Sequence, residues 1–237
     1  MLFKKAVLII HGFAGGTYDQ EDLANYLELN KSFDVFQFTL PGHNRNLSKV
    51  KHEDWINKSK EKVEWLIENG YNKIYLIGHS MGGVIATYLA TQYKQVNKLV
   101  LLAPAFNYLN VVNKNINITE SLKVTPKVLE EYGKDEIVAR FLKLNISVLK
   151  EFMELVKEYY EYPSKVTCNT LIFQGLNDNL VPKSSSEYVY NNINGIKKLV
   201  YLKGVTHEIC QCEKRQKIYE LIEEFLKYNI GGGIDTL

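Results

Sequence analysis

The feature that most constrains how this chain can fold is the stretch 72–90, which changes from an apolar strand pattern to an apolar helix pattern. Between the two halves lies Gly78-His79-Ser80-Met81-Gly82, a G-x-S-x-G pentapeptide. A strand that reverses into a helix within one or two residues leaves no room for side chains beside the serine, which accounts for both glycines. Such a turn projects the Ser80 hydroxyl beyond the sheet and aims the first helical amides at the same space. The alternative is a tight turn whose serine only caps the helix.

Composition allows one large core and gives no sign of a polyanionic partner. The chain has 237 residues, of which 46% are hydrophobic, so we expect a single domain with an insertion. Its 29 basic and 27 acidic residues leave a net charge of +2. This balance gives no argument for nucleic acid or an anionic membrane as the main partner. The sequence is compatible with a monomer or a homodimer.

The cysteines and the N-terminus predict a cytoplasmic protein without stable membrane insertion. The three cysteines are an odd and sparse set, expected to be free thiols in a reducing cytosol. One residue separates Cys210 from Cys212, which is shorter than the usual zinc or redox spacing, so metal binding by this pair is the weaker alternative. The apolar run 6–10 is too short for a signal peptide, and no window approaches the length of a membrane span.

Apolar runs that suit buried strands alternate with amphipathic helical patterns in both the first and the last part of the chain. This alternation predicts an α/β fold: a mainly parallel sheet of about six strands, with right-handed crossovers and helices on both faces. The predicted strands are 6–10, 33–40, 74–77, 98–102, 170–174 and 197–202, and the predicted helices outside the middle of the chain are 18–29, 52–68, 84–90, 184–194 and 213–228.

The segment 106–163 interrupts this alternation because it contains no convincing buried strand. Apolar residues at helical spacing over 135–160 predict two helices divided near 145–147, and a short helix is predicted over 125–132. These apolar faces need something to cover, so we expect a small inserted helical cap that folds over the strand ends and forms a ligand pocket. The expected division is a core of 1–105 and 164–230, a cap of 106–163 and a flexible C-terminal tail of 231–237.

Three polar residues that could act together in nucleophilic catalysis follow predicted strands. Ser80 follows the third strand, Asp178 the fifth and His207 the sixth. Sites of open parallel sheets lie past the carboxyl ends of the strands, so loops there can bring such residues together. A histidine can take the proton of an attacking serine, and an acid on its other nitrogen fixes the tautomer. Taken singly, Asp178 is plausible as a turn residue and His207 as an ordinary loop histidine.

Several short motifs accompany these three residues: His11-Gly12-Phe13, Pro41-Gly42-His43, Gly78-His79-Ser80-Met81-Gly82-Gly83, Gly175-x-x-Asp178-x-x-Val181-Pro182 and His207. With them, the chain resembles the α/β-hydrolases from Ala6 to about Tyr228, least of all in the cap. The chain order Ser, Asp, His is the order found in that family. The resemblance is greatest to small bacterial carboxylesterases and monoacylglycerol lipases, which have short helical caps and apolar acyl pockets. Because the first apolar run begins at Ala6, we expect the leading antiparallel strands usual in the family to be missing or vestigial in this sequence.

The resemblance implies a role for each site residue. Ser80 would be the nucleophile, His207 the base and Asp178 the acid that orients the histidine. The backbone N–H groups of Phe13 and Met81 would form the oxyanion hole. The expected reaction is acyl transfer through an acyl-enzyme, with no cofactor.

The expected pocket lining favours a small-molecule ester of an aliphatic acyl chain, or a monoacylglycerol, over a charged peptide. Several of the lining residues could instead belong only to the core of the cap. An acyl thioesterase, a cofactor-free haloperoxidase or C–C hydrolase, and a non-catalytic binding protein on the same fold are the other interpretations. The residues expected to contact the substrate are Phe13, Met81, Phe141, Leu149, Phe152 and Met153.

The remaining histidines have structural interpretations. We expect His11 to bond backbone in the loop of the oxyanion hole and His43 to brace a turn. His79, at the variable position of the pentapeptide, is expected to pack beside the serine. His52 is expected at the surface, at the start of a helix. Because no second histidine or carboxylate stands at ligand spacing, no metal is predicted.

Overall fold

The computed structural model describes residues 4–29, 31–43, 49–107, 146–228 and 230–237, and its centre is one seven-stranded sheet. The strands are β1 (Lys4–Ile10), β2 (Asp34–Gln37), β3 (Tyr71–His79), β4 (Val96–Leu102), β5 (Asn169–Gly175), β6 (Lys197–Leu202) and β7 (Gly233–Thr236). They lie in the order β2-β1-β3-β4-β5-β6-β7, and every neighbouring pair is parallel. The direction of winding therefore reverses between β1 and β3, the position at which open parallel sheets bind ligands.

Helices cover both faces of this sheet. They are α1 (Glu21–Glu28), α2 (His52–Glu68), α3 (Met81–Gln92), α4 (Ile146–Tyr159), α5 (Lys183–Asn192) and α6 (Arg215–Lys227), with short 3₁₀ turns at Thr17–Gln20, Tyr162–Lys165 and Ile209–Gln211. Helices α1 and α6 pack on one face, and α2, α3, α4 and α5 on the other. Within the described ranges, no helix is both long enough and apolar enough to cross a membrane. The three cysteines are free thiols, as predicted.

Strand β1 shows why the predicted strands are continuous apolar runs. Leu8 and Ile10 belong to the core under α2, α3, α4 and α5, whereas Val7 and Ile9 belong to the core under α1 and α6. All four side chains are buried. A parallel sheet covered on both faces needs apolar side chains in both directions, and the predicted α/β architecture is confirmed.

The C-terminal segment differs from the prediction of a flexible tail. Residues Gly233–Thr236 form β7, which pairs with β6 from Lys198 to Tyr201 and raises the number of strands from the expected six to seven. Its side chains are mostly exposed, so β7 has no buried apolar pattern to reveal it. Backbone pairing and an ion pair of 2.6 Å between Lys198 and Asp235 hold it instead. The tail prediction is therefore wrong.

The last part of the predicted cap lies directly on the core. Helix α4 packs against α2 and α3, and its buried side chains join the core of that face. It begins at Ile146, within the predicted division at 145–147. The predicted helix 125–132 and the candidate contact Phe141 lie outside the described residues. The division of the chain into a core and a cap stays a prediction.

Candidate active site

Ser80 stands on a strained turn between the last residue of β3 and the first residue of α3. Its φ of 54° and ψ of −117° lie in a region that residues other than glycine rarely adopt. A Cβ at Gly78 would overlap the backbone of Gly82, and a Cβ at Gly82 would overlap the backbone at the end of β1. The helix begins at Met81, three residues before the predicted start, so its first turn follows the serine directly. This is the strand–turn–helix geometry that the pentapeptide predicts.

The loops after β5 and β6 bring Asp178 and His207 together. His207 Nδ1 lies 2.7 Å from Asp178 Oδ2, and both side chains are buried. The other carboxylate oxygen, Oδ1, accepts hydrogen bonds from the backbone N–H groups of Leu180 (2.9 Å) and Val181 (2.8 Å). Since the carboxylate is an acceptor, His207 Nδ1 carries the shared proton, and the lone pair of the neutral ring lies on Nε2.

His79 connects the serine turn to this pair. It immediately precedes Ser80, and its ring centroid lies 4.8 Å from that of His207. Its Nε2–H donates to the backbone carbonyl of His207 at 3.1 Å. Asp178 and His207 are therefore bonded to each other, and the residue before Ser80 is bonded to the backbone of His207, at one end of the sheet. His79 packs between the serine and the histidine loop, a wider role than the predicted packing beside the serine.

The turn after β1 lies against Ser80. A Cβ at Gly12 would stand only 3.2 Å from the Cβ of Ser80, so glycine permits this close approach. The N–H of Gly15 donates to the carbonyl of Gly12 at 3.2 Å and closes the turn that contains Phe13. Phe13 and Met81, whose N–H groups were predicted as oxyanion donors, therefore belong to the two segments that flank the serine.

The predicted substrate contacts divide into buried and partly exposed side chains. The side chains of Met81 and Phe152 are buried in the core, and Phe152 stacks on Phe13 with ring centroids 5.1 Å apart. Substrate contact by these two residues stays a prediction. Phe13, Leu149 and Met153 are partly exposed. The described candidates for lining an acyl site are these last three, whereas Phe152 joins α4 to the loop after β1.

Two further histidines bond to the backbone, as predicted. His11 Nδ1–H donates to the carbonyl of Gly12 at 2.8 Å, and its Nε2 accepts from the N–H of Leu40 at 3.0 Å. Burial, aided by the charge of His43, lowers the pKa of His11 to about 3. His43 Nδ1–H donates to the carbonyl of Pro41 at 3.1 Å, and burial lowers its pKa to about 4. Both rings are neutral near pH 7 and hold the loops after β1 and β2.

His52 differs from the prediction of a surface residue. It begins α2, as expected, but it is buried, with Nδ1 3.0 Å from Glu151 and Nε2 2.9 Å from Glu158 on α4. His52, Glu53 and Glu151 have ligand atoms within 4.8 Å of one another, as a metal site requires. Lys51 also donates to Glu151 at 2.7 Å. The side chains of His52 and Glu151 therefore already have protein partners, and together with Lys51 and Glu158 they form an ion-pair network that joins α2 to α4. Sequence spacing could not reveal it because His52 and Glu151 are 99 residues apart.

Two buried glutamines also support the site and were not predicted. Gln174 Nε2 approaches Asp178 Oδ2 at 3.4 Å, and its Oε1 accepts from the Ser186 hydroxyl at 2.7 Å. Gln20 Nε2 donates to His79 Nδ1 at 3.3 Å. Gln174 could have been singled out from the sequence because it is a polar residue inside an apolar strand. No local pattern identifies Gln20, which lies 59 residues from its partner.

The parallel sheet, the strained serine turn and the Asp–His pair at the strand ends together define an α/β-hydrolase. Residues 3–214 match the family model described as serine aminopeptidase, S33 (Hydrolase_4), and the chain belongs to this family.

Over nearly its whole length the chain is similar to bacterial esterases and lipases. It is 25% identical over 233 residues to a carboxylesterase of Bacillus subtilis (strain 168), covering 94% of this chain and 92% of that protein. It is 23% identical over 236 residues to a thermostable monoacylglycerol lipase of Bacillus sp. (strain H-257), covering 95% and 91%. The structure of a Paleococcus ferrophilus monoacylglycerol lipase shares the fold, with a TM-score of 0.70 at 19% identity over 94% of this chain and 96% of that one.

Proposed function

We propose that the protein is a serine hydrolase that cleaves carboxylic esters of apolar acyl chains, of the carboxylesterase or monoacylglycerol lipase type. The observation that carries the proposal is the 2.7 Å contact between His207 Nδ1 and Asp178 Oδ2 beside the strained turn of Ser80. These are the base, the orienting acid and the nucleophile that acyl transfer requires. The similarity to a carboxylesterase and a monoacylglycerol lipase supports the choice of an ester.

The proposed reaction has two steps. Ser80 Oγ attacks the ester carbonyl carbon while His207 Nε2 takes the hydroxyl proton, and Asp178 stabilises the resulting imidazolium. The tetrahedral intermediate collapses, the C–O bond breaks, and the alcohol leaves with the proton from His207. Water, deprotonated by His207, then attacks the acyl-enzyme, and the carboxylic acid is released as Ser80 recovers its proton.

The proposed oxyanion donors are the backbone N–H groups of Phe13 and Met81. Two observations support them: Gly12 lets the loop after β1 approach Ser80, and α3 begins directly after the serine. The N-terminus of α3 adds a favourable potential for the negative oxygen. One donor of this kind contributes on the order of 3 kcal/mol to the stability of the transition state.

The partly exposed side chains near the site favour a substrate with an apolar acyl group. Phe13, Leu149 and Met153 are partly exposed, and Leu149 and Met153 lie on α4, which packs over the loop after β1. Burial of an acyl chain against such side chains would contribute about 0.8 kcal/mol per methylene group. We therefore expect kcat/KM for p-nitrophenyl esters to rise with acyl length over the short-chain range, and a flat profile would contradict the apolar acyl site.

The primary test compares Ser80→Ala with the matched variant Ser164→Ala, which alters an exposed serine. Ser80→Ala should lose hydrolysis of p-nitrophenyl butyrate and labelling by a fluorophosphonate, because both need the serine nucleophile. Ser164→Ala should keep both. Wild-type hydrolysis by Ser80→Ala would refute the assignment of the nucleophile, and a folded wild-type protein that is not labelled would favour a non-catalytic binding protein.

Aminopeptidase activity is a second candidate because the family is described by that activity. Acyl thioester hydrolysis is a third, since the same triad would serve it. Initial rates on p-nitrophenyl esters, aminoacyl p-nitroanilides and acyl-CoA, each normalised to the serine that the fluorophosphonate labels, separate the three. The proposal expects the esters to have the highest kcat/KM.

A further inference from the structure

His79 lies where the connection between β1 and α1 and the loop that carries His207 meet the serine turn. It is buried at the end of β3, and its ring is held from two sides. Gln20, before α1, approaches Nδ1 at 3.3 Å, and the backbone carbonyl of His207 lies 3.1 Å from Nε2. A Cβ at Gly12 would stand 3.3 Å from Nδ1, so the turn after β1 also packs on this ring. No catalytic step described above uses His79.

The two partners fix the tautomer of His79. The carbonyl of His207 can only accept, so Nε2 must carry a proton. The amide nitrogen of Gln20 can only donate, so Nδ1 must offer its lone pair. Burial, followed by the positive charge that His207 can carry, lowers the pKa of His79 to about 4. His79 is therefore neutral near pH 7, with its proton directed at the loop of His207.

His207 is thus held at two points. Its ring donates to Asp178 through Nδ1, and its backbone carbonyl accepts from His79 Nε2–H and from the N–H of Ile209 at 2.9 Å. The ring bond sets the rotation of the imidazole, and the carbonyl bonds set the position of the backbone that carries it. A base displaced by about 1 Å can lose on the order of 100-fold in rate.

We propose that His79 is a positioning residue: its neutral ring ties the backbone of His207 to the end of β3, beside Ser80, and so places the base against the nucleophile. The proposal rests on the proposed function, because it assigns His207 as the base. The proposed role makes the variable residue of the pentapeptide responsible for the position of His207 in this chain. It also explains a buried glutamine at position 20, whose amide selects the tautomer that can donate to the carbonyl of His207.

The experiment compares His79→Phe with His79→Gln. Phenylalanine keeps a flat ring but has no donor, whereas the glutamine Nε2 can reach about the same place as the imidazole Nε2 and donate. For p-nitrophenyl butyrate, with rates expressed per fluorophosphonate-labelled serine, His79→Phe should lower kcat about 10- to 100-fold and leave KM within about twofold. His79→Gln should recover most of this loss. Equal losses in the two variants would overturn the proposal.

A pH profile separates positioning from a general loss of folding. The charged or titratable groups that face His79 include His11, His207, Asp178 and Glu208, and the ring of His207 also bonds to Asp178. Displacement of the His207 backbone in His79→Phe weakens the bond to Asp178 that stabilises the imidazolium. The acid limb of kcat/KM should therefore move to lower pH. Loss of kcat with an unmoved acid limb would indicate a merely structural role and overturn the proposal.

Tyr219→Phe is a matched control, since the Tyr219 hydroxyl donates to the carbonyl of Cys210 at 2.7 Å in the same loop. Tyr219→Phe removes a buried hydrogen-bond donor to the backbone carbonyl of Cys210 but leaves the backbone carbonyl of His207 bonded. The kcat of this variant should therefore stay within about twofold of wild type. An equal loss in Tyr219→Phe would show that loop rigidity in general, and not the bond from His79, positions the base. Hydrolysis by Ser80→Ala tests the proposed function separately, because it does not depend on His79.

Discussion

At the scale of single residues, the two oxygens of Asp178 have different partners. Oδ1 accepts from the backbone N–H groups of Leu180 and Val181, and Oδ2 accepts from His207 Nδ1–H. The backbone therefore orients the carboxylate independently of the histidine. An amide at position 178 would keep its oxygen on the two N–H groups and turn its NH₂ group towards His207.

From this geometry we predict that Asp178→Asn lowers kcat by about 10³- to 10⁴-fold while the fold is kept. The amide would donate to His207 Nδ1, which forces the imidazole proton onto Nε2, where the base must accept. Steady-state hydrolysis of p-nitrophenyl butyrate and a circular-dichroism melt measure the two effects. The exposed Asp235, changed to Asn, is the control and should leave kcat unchanged. A folded Asp178→Asn that keeps a tenth of wild-type kcat would contradict the role of the acid.

The residues at the strand ends could be predicted, but the residues that hold them could not. Ser80, Asp178 and His207 follow apolar runs that the sequence marks as strands, and parallel strands bring such positions to one edge. Gln20 and the direction of the His79 ring depend on contacts between distant segments, which no local pattern encodes. The same holds for Phe152, whose helical spacing was equally consistent with core packing and with a substrate contact.

At the scale of elements, an imidazole joins α2 to α4. Partial burial lowers the pKa of His52, but hydrogen bonds to Glu151 and Glu158 and the charge of Glu53 raise it by more, so the net shift is upward from 6.5. Bonds from Lys51 and His52 lower the pKa of Glu151 from 4.5 to about 2. Both nitrogens of His52 face carboxylates, so the protonated ring is the form that holds the two helices together.

This network predicts a pH window for the docking of α4. A raised folded pKa means that the contribution of His52 is fully present below pH 6.5 and is lost as the pH rises through the folded pKa. The depressed pKa of Glu151 means that its contribution is present above pH 4.5 and is lost as the pH falls towards 2. We therefore expect the network to stabilise the protein most between pH 4.5 and 6.5.

Thermal melts of wild type and His52→Gln at about pH 5.5 and about pH 8.5 measure this window. Glutamine cannot carry the charge, so the Tm advantage of the wild type should be larger at the lower pH. Lys51→Gln serves as the control. It removes Lys51, an exposed partner of Glu151, and the charge of Lys51 is constant between these two pH values. A wild-type advantage that is equal at both pH values would show that His52 does not titrate in this network.

Helix α4 is also joined to the site by an aromatic pair. Phe152 is buried and stacks on Phe13, in the loop after β1. We predict that Phe152→Ala lowers the free energy of unfolding by about 3–4 kcal/mol, because it leaves a cavity, and that Phe152→Leu costs less than about 1.5 kcal/mol. Urea denaturation measures both. The control Leu29→Ala alters a side chain that is 83% exposed and should change little. A Phe152→Ala effect no larger than this control would contradict the core role.

Elements with a buried apolar pattern were predictable, and the element without one was not. Strands β1, β3, β4, β5 and β6 have apolar side chains on both faces, since helices cover the sheet on both sides. Strand β7 has the sequence GIDT and mostly exposed side chains, and it follows two glycines. Only its backbone pairing with β6 makes it a strand, and pairing partners cannot be read from such a short polar segment.

At the scale of the whole molecule, strand β7 at the C-terminal edge of the sheet is set apart from the candidate active site. The site uses the loops after β1, β3, β5 and β6, whereas β7 lies at the edge and pairs with β6. The bonds from Asp178 and His79 that hold His207 come from segments after β5 and at the end of β3. Both strands lie on the side of β6 that faces away from β7. Stability and catalysis should therefore be separable at this edge.

Deletion of residues 232–237 tests that separation. It removes the pairing of β7 with β6 and the backbone bonds of Leu237 with Tyr201 and Lys203. A few backbone hydrogen bonds at about 1 kcal/mol each predict a loss of roughly 2–4 kcal/mol in the free energy of unfolding. The control Asp235→Asn removes only an exposed ion pair and should cost less than about 0.5 kcal/mol. In both the deletion variant and Asp235→Asn, kcat per fluorophosphonate-labelled serine should stay within about twofold of wild type, since the bonds that hold His207 are retained. If the deletion instead lowers this kcat more than about tenfold, β7 positions the base through β6, and the site extends to the edge of the sheet.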